Sequence, residues 1–341
     1  MKTYEHGGNI NSFAKKLNCK TEDIIDLSSN INFIKPKIDI NFNTLEISSY
    51  PEYNKLFKTL ARNYKIKNTN LELFNGGSSA IFTLFRHLSL KKCIIYSPAY
   101  LEYKKAANIY NYKTTLINRF ENRYKDIPRN SLVIFVNPST PDGKYYDLKK
   151  LFKIWKEKNT TVLIDESFLD FTKKSSAIKY LKKYKKLYIL KSLTKFYSSA
   201  GIRLGIIISN NKNINLIQKN EPMWKISQFD SKYIQEALKD KKFKKKSLSK
   251  NDKNRKKLFK LLKKQSFIRK VYRSKANYFL VKLKSLTAKE LQDRLLKYKV
   301  LIRDCSNFDF LNNSYIRIAV KNKKSITKLK LAFKEIEKNV Y

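Results

Sequence analysis

Five short apolar runs in the middle of the chain limit the possible folds more than any other feature of the sequence. They are residues 93–96, 132–136, 162–164, 187–190 and 205–208. Short, continuously apolar runs of this kind predict strands that are buried on both faces. Amphipathic helical patterns lie between them, for example at residues 100–110 and 148–158. Strands that alternate with helices predict an α/β fold with a largely parallel sheet, and functional side chains then gather at the carboxyl ends of the strands.

The patterns on either side of this region predict two further parts. Residues 226–341 carry long basic helices, two strands and a helix between them, which is typical of a smaller α+β domain. Residues 1–40 carry a short helix at 9–17 and a polar loop at 28–35, and we expect this segment to pack on the smaller domain. The large domain then spans residues 41–225.

Charge is the most unusual property of the composition. The chain has 341 residues, of which 74 are lysine or arginine and 28 are aspartate or glutamate, so its formal net charge is +46. Only residues 241–246 form a dense basic block, and the even spread elsewhere is typical of a lysine-rich composition rather than of a specific nucleic-acid surface. A polyanion-binding protein that uses the helices around this block is the non-enzymatic alternative. In an enzyme, the positive field favours anionic substrates and phosphate cofactors.

The rest of the composition predicts a cytoplasmic enzyme. No apolar stretch approaches the roughly 18 residues that span a bilayer, so we expect no membrane association. The polar first residues do not resemble a secretory signal. The three cysteines, Cys19, Cys93 and Cys305, are far apart in the sequence, so we expect neither a disulfide framework nor a metal site.

Lys195 lies in the segment Ser-Leu-Thr-Lys-Phe at 192–196, shortly after the apolar run at 187–190. Its amine can condense with an aldehyde, while Ser192 and Arg203 can hold a phosphate on the same molecule. Pyridoxal 5'-phosphate carries both groups, so it is the predicted cofactor. Because the chain is rich in lysine, a lysine without a special role is the alternative for this position taken alone.

Other positions suit the same cofactor, although each also has an ordinary structural explanation. Asp165 ends an apolar run, where its carboxylate can pair with a pyridine nitrogen or serve as a loop acid. Asn137 can donate to the phenolic oxygen or only shape a turn. Gly77 and Ser78 open a helical pattern whose first amides can bind phosphate, or they form a simple turn. Tyr100 can stack on the ring or pack in the core.

Taken in chain order, these positions resemble the fold-type I pyridoxal-phosphate enzymes of the class I/II aminotransferase superfamily over nearly the whole chain. The segment 137–143 is similar to the superfamily's Asn-Pro…Pro-Thr-Gly turn, with Asp142 where threonine is common. The resemblance implies a large domain with a mostly parallel seven-stranded sheet between helices, a smaller α+β domain and a homodimer.

The resemblance also implies roles for individual residues. Lys195 forms the covalent bond to the cofactor, Asp165 pairs with the pyridine nitrogen and Asn137 contacts the ring oxygen. Tyr100 stacks on the ring. The residues implied to bind the cofactor phosphate are Gly77, Ser78, Ser192 and Arg203, together with Tyr50, which reaches the cofactor of the neighbouring subunit.

Two groups of the superfamily are most similar, the threonine-phosphate decarboxylases of cobalamin biosynthesis and the histidinol-phosphate aminotransferases. The strings that favour the decarboxylases are residues 6–9, 26–32, 165–171 and 302–308, the last followed by 315–320. Within the third string, Phe168 stands where the aminotransferases usually have tyrosine. The implied reaction is decarboxylation of O-phospho-L-threonine to (R)-1-amino-2-propanol O-2-phosphate, and transamination of histidinol phosphate is the alternative.

The same resemblance implies how the substrate binds. Arg317 matches an arginine that binds the α-carboxylate, and a guanidinium fork suits a planar carboxylate. Arg303 resembles a second arginine that binds the substrate anion. The alternative is that Arg303 is only a surface cation on a strand. The residues expected at the mouth of the site, near the substrate phosphate, are His6, Gly7, Gly8 and Asn32. His6 can equally be a loop residue without a role.

Overall fold

A computed structural model of the chain describes residues 6–338. Its largest element is a seven-stranded sheet with the strand order β2-β8-β7-β6-β5-β3-β4. The strands are β2 (Leu71–Asn75), β3 (Lys92–Ser97), β4 (Lys113–Asn118), β5 (Leu132–Val136), β6 (Thr161–Asp165), β7 (Leu187–Ser192) and β8 (Leu204–Ile208). Only β8 runs antiparallel to its neighbours, so the predicted mostly parallel sheet is confirmed. All five apolar runs form strands of this sheet.

Helices cover both faces of the large sheet. The helices of the chain are α1 (Ile10–Lys16), α2 (Asn54–Tyr64), α3 (Gly76–Leu88), α4 (Glu102–Ile109), α5 (Lys149–Glu157), α6 (Leu193–Phe196), α7 (Asn211–Gln218), α8 (Gln228–Lys239), α9 (Lys241–Lys263), α10 (Ala288–Leu295) and α11 (Lys323–Lys338). None of those within the described range is long and apolar enough to cross a bilayer.

Successive residues of the central strands are buried on opposite sides of the sheet. On β5, Val133 and Phe135 pack in a core with α2, α5 and α8, whereas Leu132 and Ile134 pack in a second core with α3, α4 and α7. Because both faces are covered, every residue of β5 is apolar and buried. Burial on both faces explains why the sequence of β5 is one continuous apolar run.

The smaller sheet has four antiparallel strands in the order β12-β13-β10-β9. They are β9 (Ile268–Val271), β10 (Tyr278–Leu283), β12 (Arg303–Asp304) and β13 (Tyr315–Ala319). This sheet shares a separate apolar core with parts of α9, α10 and α11. Helix α10 begins with a capping box, in which the Thr287 side chain accepts from the Glu290 amide and the Glu290 side chain accepts from the Thr287 amide.

The N-terminal segment packs against the smaller sheet's core. Strand β1 (Ile25–Asp26) pairs in parallel with β11 (Val300–Leu301), and Leu27 is buried in the same core as β10 and β13. Phe13 of α1 packs with Ile24 in a small cluster that contacts Leu296 and Leu301. These contacts hold the loop after β1 near the carboxyl edge of the large sheet, where it reaches the site described below.

Helix α9 passes from one core to the other. Phe243, near its start, packs with the large sheet, while Leu258 and Leu262, near its end, pack with the smaller sheet. Ile226 and Ile234, which precede α9, also belong to the core of the large sheet. The change of core therefore lies within α9, and the domain boundary near residue 225 stays a prediction.

Candidate active site

A cavity of about 370 Å³ lies where the large sheet, the smaller sheet and the N-terminal segment meet. Twelve of the 15 site residues predicted from the sequence line it. They are His6, Gly7, Gly8, Gly77, Ser78, Tyr100, Asp165, Ser192, Lys195, Arg203, Arg303 and Arg317. The positions come together because the parallel strands end at one edge of the sheet, as expected for this architecture.

Lys195 lies on α6, the single helical turn that follows β7 directly. Its Nζ lies 3.1 Å from Thr194 Oγ1 and 3.4 Å from Ser192 Oγ. Burial lowers the pKa of this amine to about 8; the Asp165 carboxylate opposes the shift and the Arg203 guanidinium adds to it. A lysine with this pKa has a substantial neutral fraction near neutral pH, which is the nucleophilic form.

Asp165, at the end of β6, is a buried carboxylate held by three donors. Its Oδ1 accepts from the Ser167 amide at 2.8 Å and from Ser167 Oγ at 2.5 Å, and its Oδ2 accepts from Tyr103 Oη at 2.5 Å. Tyr103 was not anticipated from the sequence. The signal was present, because Tyr103 follows Tyr100 by three residues on a helical pattern and thus faces the same side. These bonds fix the direction in which the carboxylate faces the cavity.

The part of the cavity at the start of α3 has the groups that bind an anion. Helix α3 begins immediately after β2, and no side chain caps its N-terminus, so the amides at Gly77 and Ser78 can serve an external acceptor. Gly76 has φ +80°, and a Cβ there would lie 2.5 Å from Arg203 Nη2. Glycine is therefore needed for the guanidinium to approach the helix start. Ser192 adds a hydroxyl donor beside the helix start, since its Oγ would lie 3.7 Å from a Cβ on Gly77.

Two arginines form the wall contributed by the smaller sheet. Arg303 and Arg317 are directly opposite each other on the antiparallel strands β12 and β13, and both are buried. Arg317 donates from Nη1 to Thr140 Oγ1 at 3.3 Å and from Nη2 to the Ser28 carbonyl at 3.1 Å, while its buried Nε has no partner among the described residues. A buried donor without an acceptor is costly, which suits a site that receives an anionic ligand.

The N-terminal segment closes one side of the cavity. His6 Nε2 lies 3.2 Å from Glu102 Oε1, and its ring centroid lies 5.3 Å from that of Tyr100. The Gly8 amide donates to Ser28 Oγ at 2.8 Å, and a Cβ on Gly7 would lie 2.7 Å from the Ser28 carbonyl oxygen. Glycine at position 7 thus lets the segment lie directly on the Ser28 loop.

Three predicted residues lie away from the cavity wall. Asn32 was expected near the substrate, but its amide is buried and donates to the Phe196 carbonyl and Ser247 Oγ, so the structure gives it a role in packing instead. Both amide atoms of Asn137 bond to the Tyr146 backbone, and its contact with a ring oxygen stays a prediction. Tyr50 is 71% exposed.

A buried ion pair beneath the cavity was missed altogether. Lys191 Nζ lies 2.7 Å from Glu166 Oε2, and each side chain is no more than 3% exposed. Glu166 also accepts from Ser176 Oγ and from the Ala177 amide, both at 2.6 Å. The pair joins the residue after Asp165 to the residue before Ser192, so it ties the ends of β6 and β7 together. The sequence did contain a signal for this ion pair, because a lysine lies within the apolar strand β7 and an acid directly follows the adjacent strand β6.

Replacing Glu166 with glutamine should destabilise the protein by about 3–5 kcal/mol, because Lys191 is left charged and buried without its partner. The glutamine oxygen can still accept from the Ala177 amide, whereas its NH₂ replaces the oxygen that accepts from Ser176 Oγ and pairs with Lys191, so the loss reports the charge together with that acceptor. The midpoint of guanidinium unfolding measures it. In the double variant Glu166→Gln/Lys191→Met most of that stability should return, and equal losses in the single and double variants would contradict the explanation.

The comparisons with known proteins show the family of the chain. Residues 23–333 match the family described as aminotransferase class I and II. The chain belongs to this family. Its members include enzymes of different reaction types, so the family alone leaves the reaction open.

Similar proteins divide between two activities. A putative threonine-phosphate decarboxylase of Caldanaerobacter subterraneus subsp. tengcongensis is 31% identical, covering 95% of this chain and 91% of that protein. A histidinol-phosphate aminotransferase of Methanocaldococcus jannaschii is 29% identical, covering 94% and 91%. The crystal structure of the histidinol-phosphate aminotransferase of Clostridium acetobutylicum is 31% identical with a TM-score of 0.83, covering 93% of this chain and 100% of that one.

The cofactor of this enzyme class is pyridoxal 5'-phosphate, and the cavity fits it. Lys195 would supply the amine, Asp165 would supply a carboxylate for the pyridine nitrogen, and the start of α3 with Arg203 would hold the phosphate. When bound, the cofactor accepts the electrons released as a bond to the substrate's α-carbon breaks. The protein's own residues then determine which bond that is.

The lowered pKa of Lys195 makes a kinetic prediction. We expect the rate at which the apoprotein binds pyridoxal phosphate to rise with pH, to reach half of its maximum near pH 8 and to level off about one pH unit higher, because the neutral amine is the reactive form. Stopped-flow absorbance measures this rate. The folded amine binds its proton less tightly than in the unfolded chain, so apoprotein stability should rise from about pH 8 upward through this group. A rate that still climbs steeply above pH 9.5 would contradict the assignment.

Proposed function

We propose that this enzyme decarboxylates O-phospho-L-threonine to (R)-1-amino-2-propanol O-2-phosphate. The observation that carries the proposal is the pair Arg303 and Arg317, opposite each other on adjacent strands and facing one cavity. O-Phospho-L-threonine has two anionic groups, a phosphate and an α-carboxylate, and each can accept from one guanidinium. Histidinol phosphate has a phosphate but no carboxylate, so it leaves one of the two without an anion.

Phe168 gives separate support. It lines the cavity and packs edge-on against Tyr278, with ring centroids 4.9 Å apart. A phenylalanine offers no hydroxyl at a position where the aminotransferases of this superfamily usually have tyrosine. The strings around Gly7, Ser28 and Arg303, which resemble the decarboxylases, all contribute to the same wall of the cavity.

Histidinol-phosphate transamination is the second candidate, and it has its own support. A histidinol-phosphate aminotransferase matches 94% of the chain at 29% identity, and the putative decarboxylase matches 95% at 31% identity. A transaminase must also bind an amino-donor such as glutamate, whose two carboxylates can engage Arg303 and Arg317 in turn. The arginine pair therefore favours the first candidate, and a direct comparison of substrates separates the two.

The two reactions differ in which bond lies perpendicular to the cofactor ring, because that is the bond that breaks. For decarboxylation, Arg317 and Arg303 must together hold the substrate so that its carboxylate stands out of the ring plane. Lys195 then delivers a proton to the α-carbon after carbon dioxide leaves. For transamination, the Lys195 amine instead removes the proton from the α-carbon and delivers it to a different carbon atom.

The test is release of carbon dioxide from O-phospho-L-threonine by the holoenzyme, with and without 2-oxoglutarate. We expect release that does not depend on the keto acid. L-Threonine serves as the matched control, since it lacks only the phosphate and should react far more slowly. Keto-acid-dependent amino exchange on histidinol phosphate, with no carbon dioxide from O-phospho-L-threonine, would overturn the proposal in favour of the aminotransferase.

Arg317→Ala should raise KM for O-phospho-L-threonine about 10- to 100-fold, since hydrogen bonds between charged groups contribute about 1.5–3 kcal/mol. The cofactor should remain bound, because Arg317 lies on the substrate side of the cavity. Steady-state kinetics and the visible absorption spectrum give the two readouts. Arg269→Ala, an exposed change on β9, is the control and should alter neither. Loss of the cofactor spectrum in Arg317→Ala would count against this role.

A homodimer is part of the proposal. Tyr50 stacks on Trp224 with ring centroids 4.1 Å apart, both rings are exposed, and their neighbours in sequence, Ile47 and Met223, are exposed as well. Exposed apolar area of this kind commonly marks a protein interface. Light scattering should therefore give about twice the 40.3 kDa of one chain. Mixing inactive Lys195→Ala and Tyr50→Ala proteins should restore activity if Tyr50 serves the neighbouring site.

A further inference from the structure

A second and larger cavity, of about 900 Å³, lies behind the turn formed by residues 139–144. Thr140 of this turn faces the active-site cavity, while Asp142 and Lys144 face the second one. The turn is fixed to the segment opposite it, since the Lys275 amide donates to the Gly143 carbonyl at 2.7 Å. The second cavity is therefore a formed cleft between the large and smaller sheets, and it is separate from the active site.

Its lining is far more basic than the chain as a whole. Lysine and arginine make up 74 of the 341 residues of the chain but eight of the 17 that line the second cavity, where Asp142 is the single acid. Within residues 6–338, no carboxylate forms an ion pair with five of these cations, Arg123, Lys144, Lys270, Arg273 and Lys275. Cations gathered without counter-charges raise the local positive potential and attract anions.

One cation of this cavity is buried. The side chain of Arg119 is 1% exposed, and its Nη2 donates to Asp142 Oδ1 at 2.7 Å and to the Thr140 carbonyl at 2.8 Å. Its Nη1 is buried and has no hydrogen-bond partner among the described residues. An unpaired buried donor is costly unless something accepts from it. Arg119 thus resembles Arg317 in the active site, which also has a buried nitrogen without a partner.

Aromatic rings accompany the cations. Lys144 lies 5.0 Å and Arg123 lies 5.5 Å from the ring centroid of Tyr146, and Lys270 lies 4.7 Å from that of Tyr272. Both tyrosines line the cavity. Rings next to cations can hold a planar group by stacking while the cations bind its charged part. This combination suits an organic phosphate with a ring better than a bare inorganic anion.

We propose that the second cavity binds a small organic polyphosphate with a planar ring, of the nucleoside di- or triphosphate class. Arg119 and the rim cations bind the phosphoryl groups, and Tyr272, which is partly exposed, contacts the ring, with the 4% exposed Tyr146 behind it. Inorganic polyphosphate shares the charged part of this chemistry and lacks the ring, so the two sources can be separated by experiment. The site does not depend on the reaction at Lys195.

Isothermal titration calorimetry of the holoenzyme at fixed ionic strength, with ATP, tripolyphosphate and adenosine as probes, tests the site. We expect one saturable site per chain for ATP, weaker binding of tripolyphosphate and none of adenosine. The triple variant Lys144→Gln/Lys270→Gln/Arg273→Gln changes exposed side chains that the fold does not need, and it should weaken ATP binding at least about tenfold.

The matched control is Lys149→Gln/Lys150→Gln/Lys153→Gln, which removes the same charge from the exposed face of α5. It should change ATP binding less than about twofold, because its lysines lie outside the cavity. Equal weakening in both triple variants would attribute binding to net charge and overturn the site. Unchanged binding in the cavity variant would place the anion elsewhere, and tripolyphosphate binding as tight as ATP would overturn the role of the tyrosines.

Discussion

Lys195→Ala is expected to lose the near-visible absorption of the bound cofactor and to reduce turnover by at least about 10²–10⁴-fold, the range that a positioned acid–base group contributes. The effect is large because one side chain serves twice, as the covalent attachment point and as the group that carries a proton at the α-carbon. Lys195 is the one lysine among the residues that line the cavity within the described part of the chain, so no other lining lysine can replace it. Absorbance and carbon dioxide release measure the two losses.

Two comparisons make this result specific. Lys212→Ala, an exposed change on α7, is the control and should leave absorbance and turnover intact. Borohydride reduction of the wild-type holoenzyme followed by peptide mapping should find the cofactor on Lys195. Lys191 is the nearest competitor in sequence, but its amine is held by Glu166 at 2.7 Å within the core. A label on any other lysine would contradict both the site and the proposed reaction.

Sequence patterns predicted the strands whose residues are most completely buried. The five predicted strands occupy the interior of the large sheet, whereas the two that were missed, β2 and β4, are its edge strands. In β4 only Ile117 is fully buried, so no apolar run marks it. In β2 the apolar pattern is broken by Glu72, which is buried because Lys225 lies 2.7 Å away. That partner is distant in sequence and could not be foreseen.

The same reasoning explains the candidate site. Residues such as Asp165 and Ser192 could be predicted because they end strands that are neighbours in the sheet. Asn32 could not, since its partners Ser247 and Asn251 are more than 200 residues away and only the folded chain shows that they occupy its amide. Arg119 carried no local signal at all. Polar side chains whose role depends on distant partners are the ones that sequence patterns miss.

Asp165→Asn should lower kcat on the order of 10²–10³-fold, the loss seen when a preorganised electrostatic group is removed from an active site. The fold should tolerate it, because the asparagine oxygen can take the position that accepts from the Ser167 amide. Its NH₂ then faces Tyr103 Oη, which can rotate to accept. What is lost is the negative charge, so a pyridine nitrogen facing position 165 is no longer held in its protonated form. Carbon dioxide release at saturating cofactor measures kcat.

Tyr103→Phe separates charge from geometry. It removes one of the three hydrogen bonds to Asp165 but keeps the carboxylate, so kcat should fall only about tenfold, the value of one hydrogen bond to a charged group. Tyr103 is fully buried, and the change leaves no unpaired donor behind because the lost group is the donor itself. If Asp165→Asn and Tyr103→Phe reduced kcat equally, the carboxylate would act by position rather than by charge. A wild-type kcat in Asp165→Asn would remove Asp165 from the chemistry.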